Sequence, residues 1–292
     1  MVMMAVLLTS MPVYAAAPGD NNKPVNATNI EIVKKVTLKG PAAKGGKTAA
    51  FAAAGTLGDP LPSGGKKYAI VIGINDYYGD SSDLQYCVND ANLVASVLTN
   101  TYHFDTVDTV TDKSATYGGI KGKILALAAQ VSVKDEVVFF FSGHGAKGKA
   151  ADYDNNNIDQ SIVVNNDANT GFAFIWDGEL VKWFSGYPTN RIIFVFDSCL
   201  AGGMAVLRTD GRVVCMGSTI NSMSLEGSQW DDHGQFTYYF AKQGMEQGLA
   251  DTYDNLPRVS DVTVEEAFDY ASTNCKNQTP TIADGFTNDL LP

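Results

Sequence analysis

The chain has 292 residues, 45% of them apolar and 18% charged, ordinary proportions for a folded protein with room for a sizeable core. Its 21 Lys and Arg stand against 32 Asp and Glu, a formal net charge of −11. That balance repels phosphate backbones and anionic headgroups, and no basic cluster interleaved with aromatics offsets it, so nucleic acid is not an expected partner and a cationic substrate would be attracted. The four cysteines, Cys87, Cys199, Cys215 and Cys275, show no CxxC spacing, which argues against a zinc ribbon or a redox pair.

Residues 1–15 form a short apolar run ending in Val13-Tyr14-Ala15, small residues where a signal peptidase reads, and imply an exported protein (periplasmic, cell-surface or extracellular). No Lys or Arg precedes the run, so a disordered leader is the competing reading. Residues 16–65, rich in Ala, Gly, Lys, Pro, Asn and Thr, read as a flexible leader or pro-segment with one alternating patch, Ile30 to Leu38, that suits a lone strand. PAAKGGKT nearly spells a phosphate-binding loop, but Pro41 stands at the first glycine position and no βαβ pattern surrounds it. No later apolar stretch is long enough to span a bilayer.

From Lys66 the texture changes. Apolar runs at 68–74, 136–142, 191–198 and 212–218 alternate with helical patterns, one of them over 89–99. Continuous Val/Ile/Phe runs bounded by Gly, Ser or Asp are what strands buried on both faces look like, so the expected fold class is α/β, a mostly parallel central sheet with helices on both faces. Ligand sites in such sheets lie beyond the carboxyl ends of the strands. Three runs end there in polar residues: Asp76 after one, Ser142-Gly143-His144-Gly145 after another, and Asp197-Ser198-Cys199 after a third.

An imidazole and a thiol on loops after parallel strands can face one another as base and nucleophile. His144, between two glycines, is expected at an exposed and flexible spot, where substrate backbone can approach and N–H groups can stabilise an oxyanion. Taken singly, Cys199 would be a small buried hydrophobe and His144 a turn residue; the pair of motifs favours the dyad.

YAIVIGINDYYG, LQYCVNDANLVASVL, FFFSGHG, IFVFDSCLAGG and then HGQFTYYFA with VTVEEAFDYA resemble, in that order, the prokaryotic caspase-like peptidases: the metacaspases and orthocaspases of the caspase-haemoglobinase fold. The resemblance runs from about Lys66 to the C-terminus, making residues 66–292 one peptidase domain. It implies a cysteine endopeptidase in which His144 is the general base, Cys199 the nucleophile, and the N–H groups of Gly145 and Cys199 the oxyanion hole. A caspase would carry Gln two residues before the cysteine; this chain has Asp197 there. A carboxylate at that place attracts Lys or Arg through charge-assisted hydrogen bonds. By the same matching Cys87, Asp90 and Ser142 complete the pocket and imply cleavage after Arg or Lys, although Asp90 also suits an exposed acid near a helix start. Cys87 then needs no disulfide, leaving Cys215 and Cys275 as a bridge or as two buried thiols.

The dyad needs no cofactor, but ADYDNNNIDQS sets Asp152, Asp154, Asn156 and Asp159 at spacings that offer oxygens to a hard cation. Metacaspases often need calcium, and Asp159 and Asp177 match acids of that family's site. Gly178, however, stands where a second acid is common, and an Asn/Asp-rich solvated turn is the alternative. An enzyme that cuts after basic residues would also meet its own leader at Lys44, Lys47, Lys66 and Lys67, the favoured place for self-trimming, and within the domain the loop AKGKA (Lys147, Lys149) and the segment LRTDGR (Arg208, Arg212). Its partners would be peptides or proteins bearing Arg or Lys. The competing function class is a catalytically silent caspase-like binding or scaffold module, and a small-molecule thiol hydrolase is the third.

Overall fold

The computed structural model describes residues 23–41, 58–153, 158–253 and 261–292. In chain order the elements are β1 (Ala27–Val33), β2 (Val36–Leu38), β3 (Lys67–Gly73), α1 (Cys87–Asn100), β4 (Thr106–Thr111), α2 (Tyr117–Ala128), β5 (Glu136–Gly143), β6 (Gly145–Ala150), β7 (Asp159–Asn165), β8 (Phe172–Trp176), α3 (Asp177–Phe184), β9 (Ile192–Ser198), β10 (Arg212–Met216), β11 (Leu225–Gly227), β12 (His233–Gly234), the short α4 (Gln235–Thr237) running into a π-helical stretch Tyr238–Glu246, α5 (Val264–Asn274) and β13 (Thr281–Asp284).

Six strands make the central sheet in the order β13-β10-β9-β5-β3-β4, parallel throughout except for β13, which runs antiparallel to β10. Because successive side chains of a strand point to opposite faces, each buried run feeds two cores. Ile70, Ile72, Phe139, Phe141, Phe194 and Phe196 pack with Ile120 and Ile124 of α2 and with Leu180 and Phe184 of α3. Their neighbours Val71, Phe140, Ile193 and Val195 pack with Ala91, Val94 and Leu98 of α1 and with Ala267, Phe268 and Ala271 of α5. Helices thus cover both faces, as expected of a parallel sheet. Among the described residues no helix is long and apolar enough to cross a membrane.

Two smaller sheets lie off the carboxyl ends of the central strands. One is antiparallel, β1-β6-β7-β8; the other joins β12, β11 and β2, with β2 parallel to β11. Both take a strand from the segment expected as a flexible leader. The alternating patch at 30–38 is not one lone strand but parts of two, broken at Lys34-Lys35, because each half finds a different open edge to pair with. AKGKA is likewise not a loop: it is β6, held between β1 and β7.

All four cysteines are free and buried. Cys215 on β10 and Cys275 at the end of α5 are two thiols in one apolar core, not a bridge, and that burial pushes both well up. Residues 1–22, with the signal-peptide expectation, and Lys44 and Lys47 lie outside the described residues.

Candidate active site

Strand register brings the two reactive side chains together. β5 and β9 are neighbours with Gly143 opposite Ser198, so the next residue of each, His144 and Cys199, emerges side by side at the carboxyl edge. Gly145 lies so close to Cys199 that an added Cβ would overlap the Cys199 carbonyl oxygen. Only glycine fits at this step.

The imidazole is oriented from several sides. The His144 Nε2 lies 2.8 Å from the Ser82 carbonyl oxygen, which can only accept, so Nε2 carries the proton and Nδ1 holds the lone pair. The Tyr77 hydroxyl accepts the His144 N–H at 3.0 Å, and the two rings stack with centroids 4.7 Å apart. Burial lowers the imidazole from its ordinary 6.5 to about 4, against the raising effect of the Ser82 carbonyl, with Lys34 and Lys35 lowering it further. It is a neutral imidazole. On the other side Cys199 Sγ accepts the Ser224 N–H at 3.1 Å, yet burial pushes the thiol up to about 12.

His144 is not exposed: both dyad residues are 1% accessible. The cover is the segment between β1 and β2. Val33, opposite Gly145 on the β6 edge, packs against Cys199 and Leu200, and the Lys35 N–H donates to His144 Nδ1 at 3.1 Å.

The acids named from the sequence meet behind the dyad, and a cation already stands among them. Lys35 Nζ lies 3.0 Å from Asp197 Oδ1, 3.5 Å from Asp90 Oδ2, 3.0 Å from Ser142 Oγ, 3.1 Å from the Asp197 carbonyl and 3.9 Å from Cys87 Sγ. Burial alone would lower this ammonium, but Asp197 foremost, with Cys87, Asp90 and Glu226, holds it well above its usual value. Asp90 is not an exposed helix-start acid. It is fully buried and accepts from Ser142 Oγ at 2.7 Å and from the Gly234 N–H at 2.9 Å, with His233 Nδ1 at 3.2 Å. Burial opposes its ionisation, but Lys35 and His233 outweigh that and lower it. Asp197 is fixed by Ser224 Oγ at 2.5 Å and by the Thr237 N–H and hydroxyl at 3.0 and 2.7 Å. All four pocket residues therefore converge on one ammonium.

Four participants had not been picked out from the sequence. Lys35 itself reads there as one more solvated charge. Glu226 is fully buried and accepts from the N–H groups of Gln85 and Tyr86 at the start of α1 and from Thr37 Oγ1. Gly234 must be glycine, since a Cβ would meet Asp197, Lys35 Nζ and Asp90. His233 lies against Asp90. The signal that could have found the last two is the HG of HGQFTYYFA.

Asp152, Asp159 and Asp177 come together elsewhere, all buried, each offering a carboxylate oxygen within 4.8 Å of the others. Asp154 lies outside the described residues. Three buried carboxylates, all oxygen donors, are a set that a hard divalent cation suits. At Gly178, where the resemblance sets a second acid, a Cβ would overlap the Asp152 carbonyl. Of the internal sites considered for self-cleavage, Arg212 is buried in β10, its guanidinium donating to the Phe184 carbonyl at 2.8 Å. Lys147 pairs with Glu31 at 3.2 Å on β6, and Lys67 sits in β3. None of these three offers the loose backbone a peptidase binds.

A parallel sheet with a histidine and a cysteine side by side at its carboxyl edge and an acid-lined pocket beside them is the arrangement that the caspase-like resemblance implies. The chain belongs to the caspase domain family, whose model matches residues 66–291. It is 31% identical over 147 residues to a metacaspase-1 of Cryptococcus neoformans, covering 47% of this chain and 32% of that one. It is 32% identical over 148 residues to metacaspase-4 of Arabidopsis thaliana, covering 47% and 34%. The matches thus take in well under half the length of these relatives. A crystal structure of a protein from Geobacter sulfurreducens shares the fold, with a TM-score of 0.56 at 17% identity over 76% of this chain and 94% of that one.

Proposed function

We propose that the protein is a cysteine endopeptidase that hydrolyses peptide bonds after Lys or Arg. The observation that carries this reading is the Lys35 ammonium seated among Asp197, Asp90 and Ser142. A pocket that pairs a buried ammonium with two carboxylates would leave an acidic side chain desolvated beside like charges.

The chemistry follows from the tautomer. With Nε2–H tied to Ser82, His144 Nδ1 takes the Cys199 proton, and the thiolate attacks the scissile carbonyl. The N–H groups of Gly145 and Cys199 receive the oxyanion. Imidazolium Nδ1–H protonates the leaving amine, and water, deprotonated by the same nitrogen, then hydrolyses the thioester. Asp152, Asp159 and Asp177 would hold calcium, which would supply charge neutralisation where the end of β6 meets the start of α3. Self-trimming would fall after Lys44 or Lys47, because the bond after Lys66 enters β3 with the Lys66 carbonyl accepting the Glu136 N–H and the Lys67 N–H donating to Asp105 Oδ2.

The test is turnover of fluorogenic peptides ending in Arg, Lys, Asp or Asn, with and without calcium, by the full chain and by Cys199→Ala. Cleavage after Arg and Lys only, lost in Cys199→Ala, is the expected result. Faster cleavage after Asp overturns the specificity, and turnover by Cys199→Ala overturns the nucleophile.

A further inference from the structure

Residues 33–38 engage every part of the site at once. Val33 covers Cys199 and stands on the β6 edge opposite Gly145; the Lys35 amide holds the lone pair of the base; the Lys35 ammonium fills the pocket. Beyond it the Val36 N–H donates to the Ser224 carbonyl at 3.1 Å, Thr37 Oγ1 donates to Glu226 Oε1 at 2.6 Å, and β2 extends β11 by parallel pairing. This is recognition of an extended segment by strand addition with one anchored side chain.

The chain direction decides what such a segment can undergo. For a cut after lysine, the lysine in the pocket must supply the attacked carbonyl, and the nitrogen facing the base must belong to the following residue, because that amine leaves with the proton. Here the nitrogen at His144 Nδ1 and the side chain in the pocket belong to the same residue, Lys35. The bond against the base is Lys34–Lys35, and Lys34, which would then have to fill the pocket, instead donates from Nζ to the Ser81 carbonyl at 2.6 Å.

We propose that Val33–Leu38 is an intramolecular inhibitory strap that occupies the Lys/Arg pocket in a non-productive chain direction, a plug and not a cis substrate, and that turnover requires its displacement. The idea rests on the pocket reading above for the chain direction and the choice of assay peptide, whereas the cover over Cys199 and His144 stands without it.

The experiment uses the full chain and two readouts, alkylation of Cys199 by iodoacetamide, located by peptide mapping, and turnover of a peptide ending in Arg. Lys35→Ala empties the pocket; Val33→Gly loosens the strap over the thiol while leaving the buried acids paired. If the open form is the minor one, both variants raise the alkylation rate about tenfold or more, and Lys35→Arg restores slow alkylation. Wild-type alkylation rates in both variants would overturn the strap. Faster alkylation with no cleavage of any Lys or Arg peptide would leave the strap standing and sink the specificity. Cleavage of the Arg peptide at the same nonzero rate by wild type and both variants would do the reverse. For the chain direction, any cut after Lys35 should appear at a rate that rises with protein concentration; a new Val36 terminus forming at a concentration-independent rate would show a productive cis pose and overturn that part.

Discussion

The ring of Tyr77 lies 4.7 Å, centroid to centroid, from the imidazole of His144 at an interplanar angle of 27°, while its hydroxyl accepts the His144 N–H and donates to the Val163 carbonyl at 3.1 Å. One side chain therefore fixes both the plane and the backbone of the base. Tyr77→Phe keeps the stack and removes the hydroxyl, leaving a buried N–H and a buried carbonyl without that partner, a cost of about 1–3 kcal/mol. The expected outcome is a kcat about tenfold lower with KM nearly unchanged, because orientation of the base and not substrate binding is disturbed. A lower unfolding free energy with an unchanged kcat would confine Tyr77 to a structural role.

The parallel sheet was legible because Val, Ile and Phe runs such as 137–141 feed cores on both faces and have no amphipathic alternative. The dyad was legible for the same reason: residues just past two such runs must meet at the edge if the strands are neighbours. β6 was not legible. Its Gly and Lys residues carry no apolar pattern, since its pairing with β1 and β7 and not a side-chain core defines it. Lys35 was hidden differently. A lysine among alternating residues reads as solvated, and only the convergence of Asp90 and Asp197, far away in sequence, makes its burial tolerable.

Asp197 and Asp90 should separate by experiment. Asp197 Oδ1 is the nearer carboxylate oxygen to the ammonium, at 3.0 Å against 3.5 Å for Asp90 Oδ2. Asp197→Asn keeps the shape and removes the charge, so the preference for an Arg peptide over its Gln counterpart, a ratio of kcat/KM values that opening of the strap leaves unchanged, should fall about a hundredfold, and Asp90→Asn should cost less. Asp197→Asn should also destabilise the closed form by about 3 kcal/mol, since it takes one carboxylate from a buried ammonium. An Arg-to-Gln preference equal in wild type and Asp197→Asn would show that the pocket carboxylate does not select the substrate.

Calcium has a readout independent of turnover. Asp159 Oδ2 accepts the Ala150 N–H at 2.6 Å and Asp152 Oδ2 accepts the Gly178 N–H at 3.1 Å, so the cluster ties the end of β6 to the start of α3. A cation binding the native state alone raises the unfolding temperature by mass action. Calcium should therefore stabilise the wild type, and Asp177→Asn should shrink that shift. The same calcium-induced shift in Asp177→Asn would place the ion elsewhere.

The neutral imidazole also makes the closed form sensitive to acid. Burial lowers His144 from 6.5 to about 4, so between those values the unfolded chain binds a proton that the folded chain refuses. Stability contributed by His144 is then complete above pH 6.5 and is lost as the pH falls toward 4. Protonation would in addition remove the Nδ1 lone pair that accepts the Lys35 N–H, so the same titration weakens the strap. The loss from this group between pH 6.5 and 5 is about 2 kcal/mol, at 1.36 kcal/mol per pH unit. His144→Gln, which cannot gain the charge, should lose less on the same descent. Urea unfolding at pH 7 and pH 5 measures both. If wild type and His144→Gln lose equal stability, His144 is not held neutral by its burial, and the tautomer argued from Ser82 loses its electrostatic support.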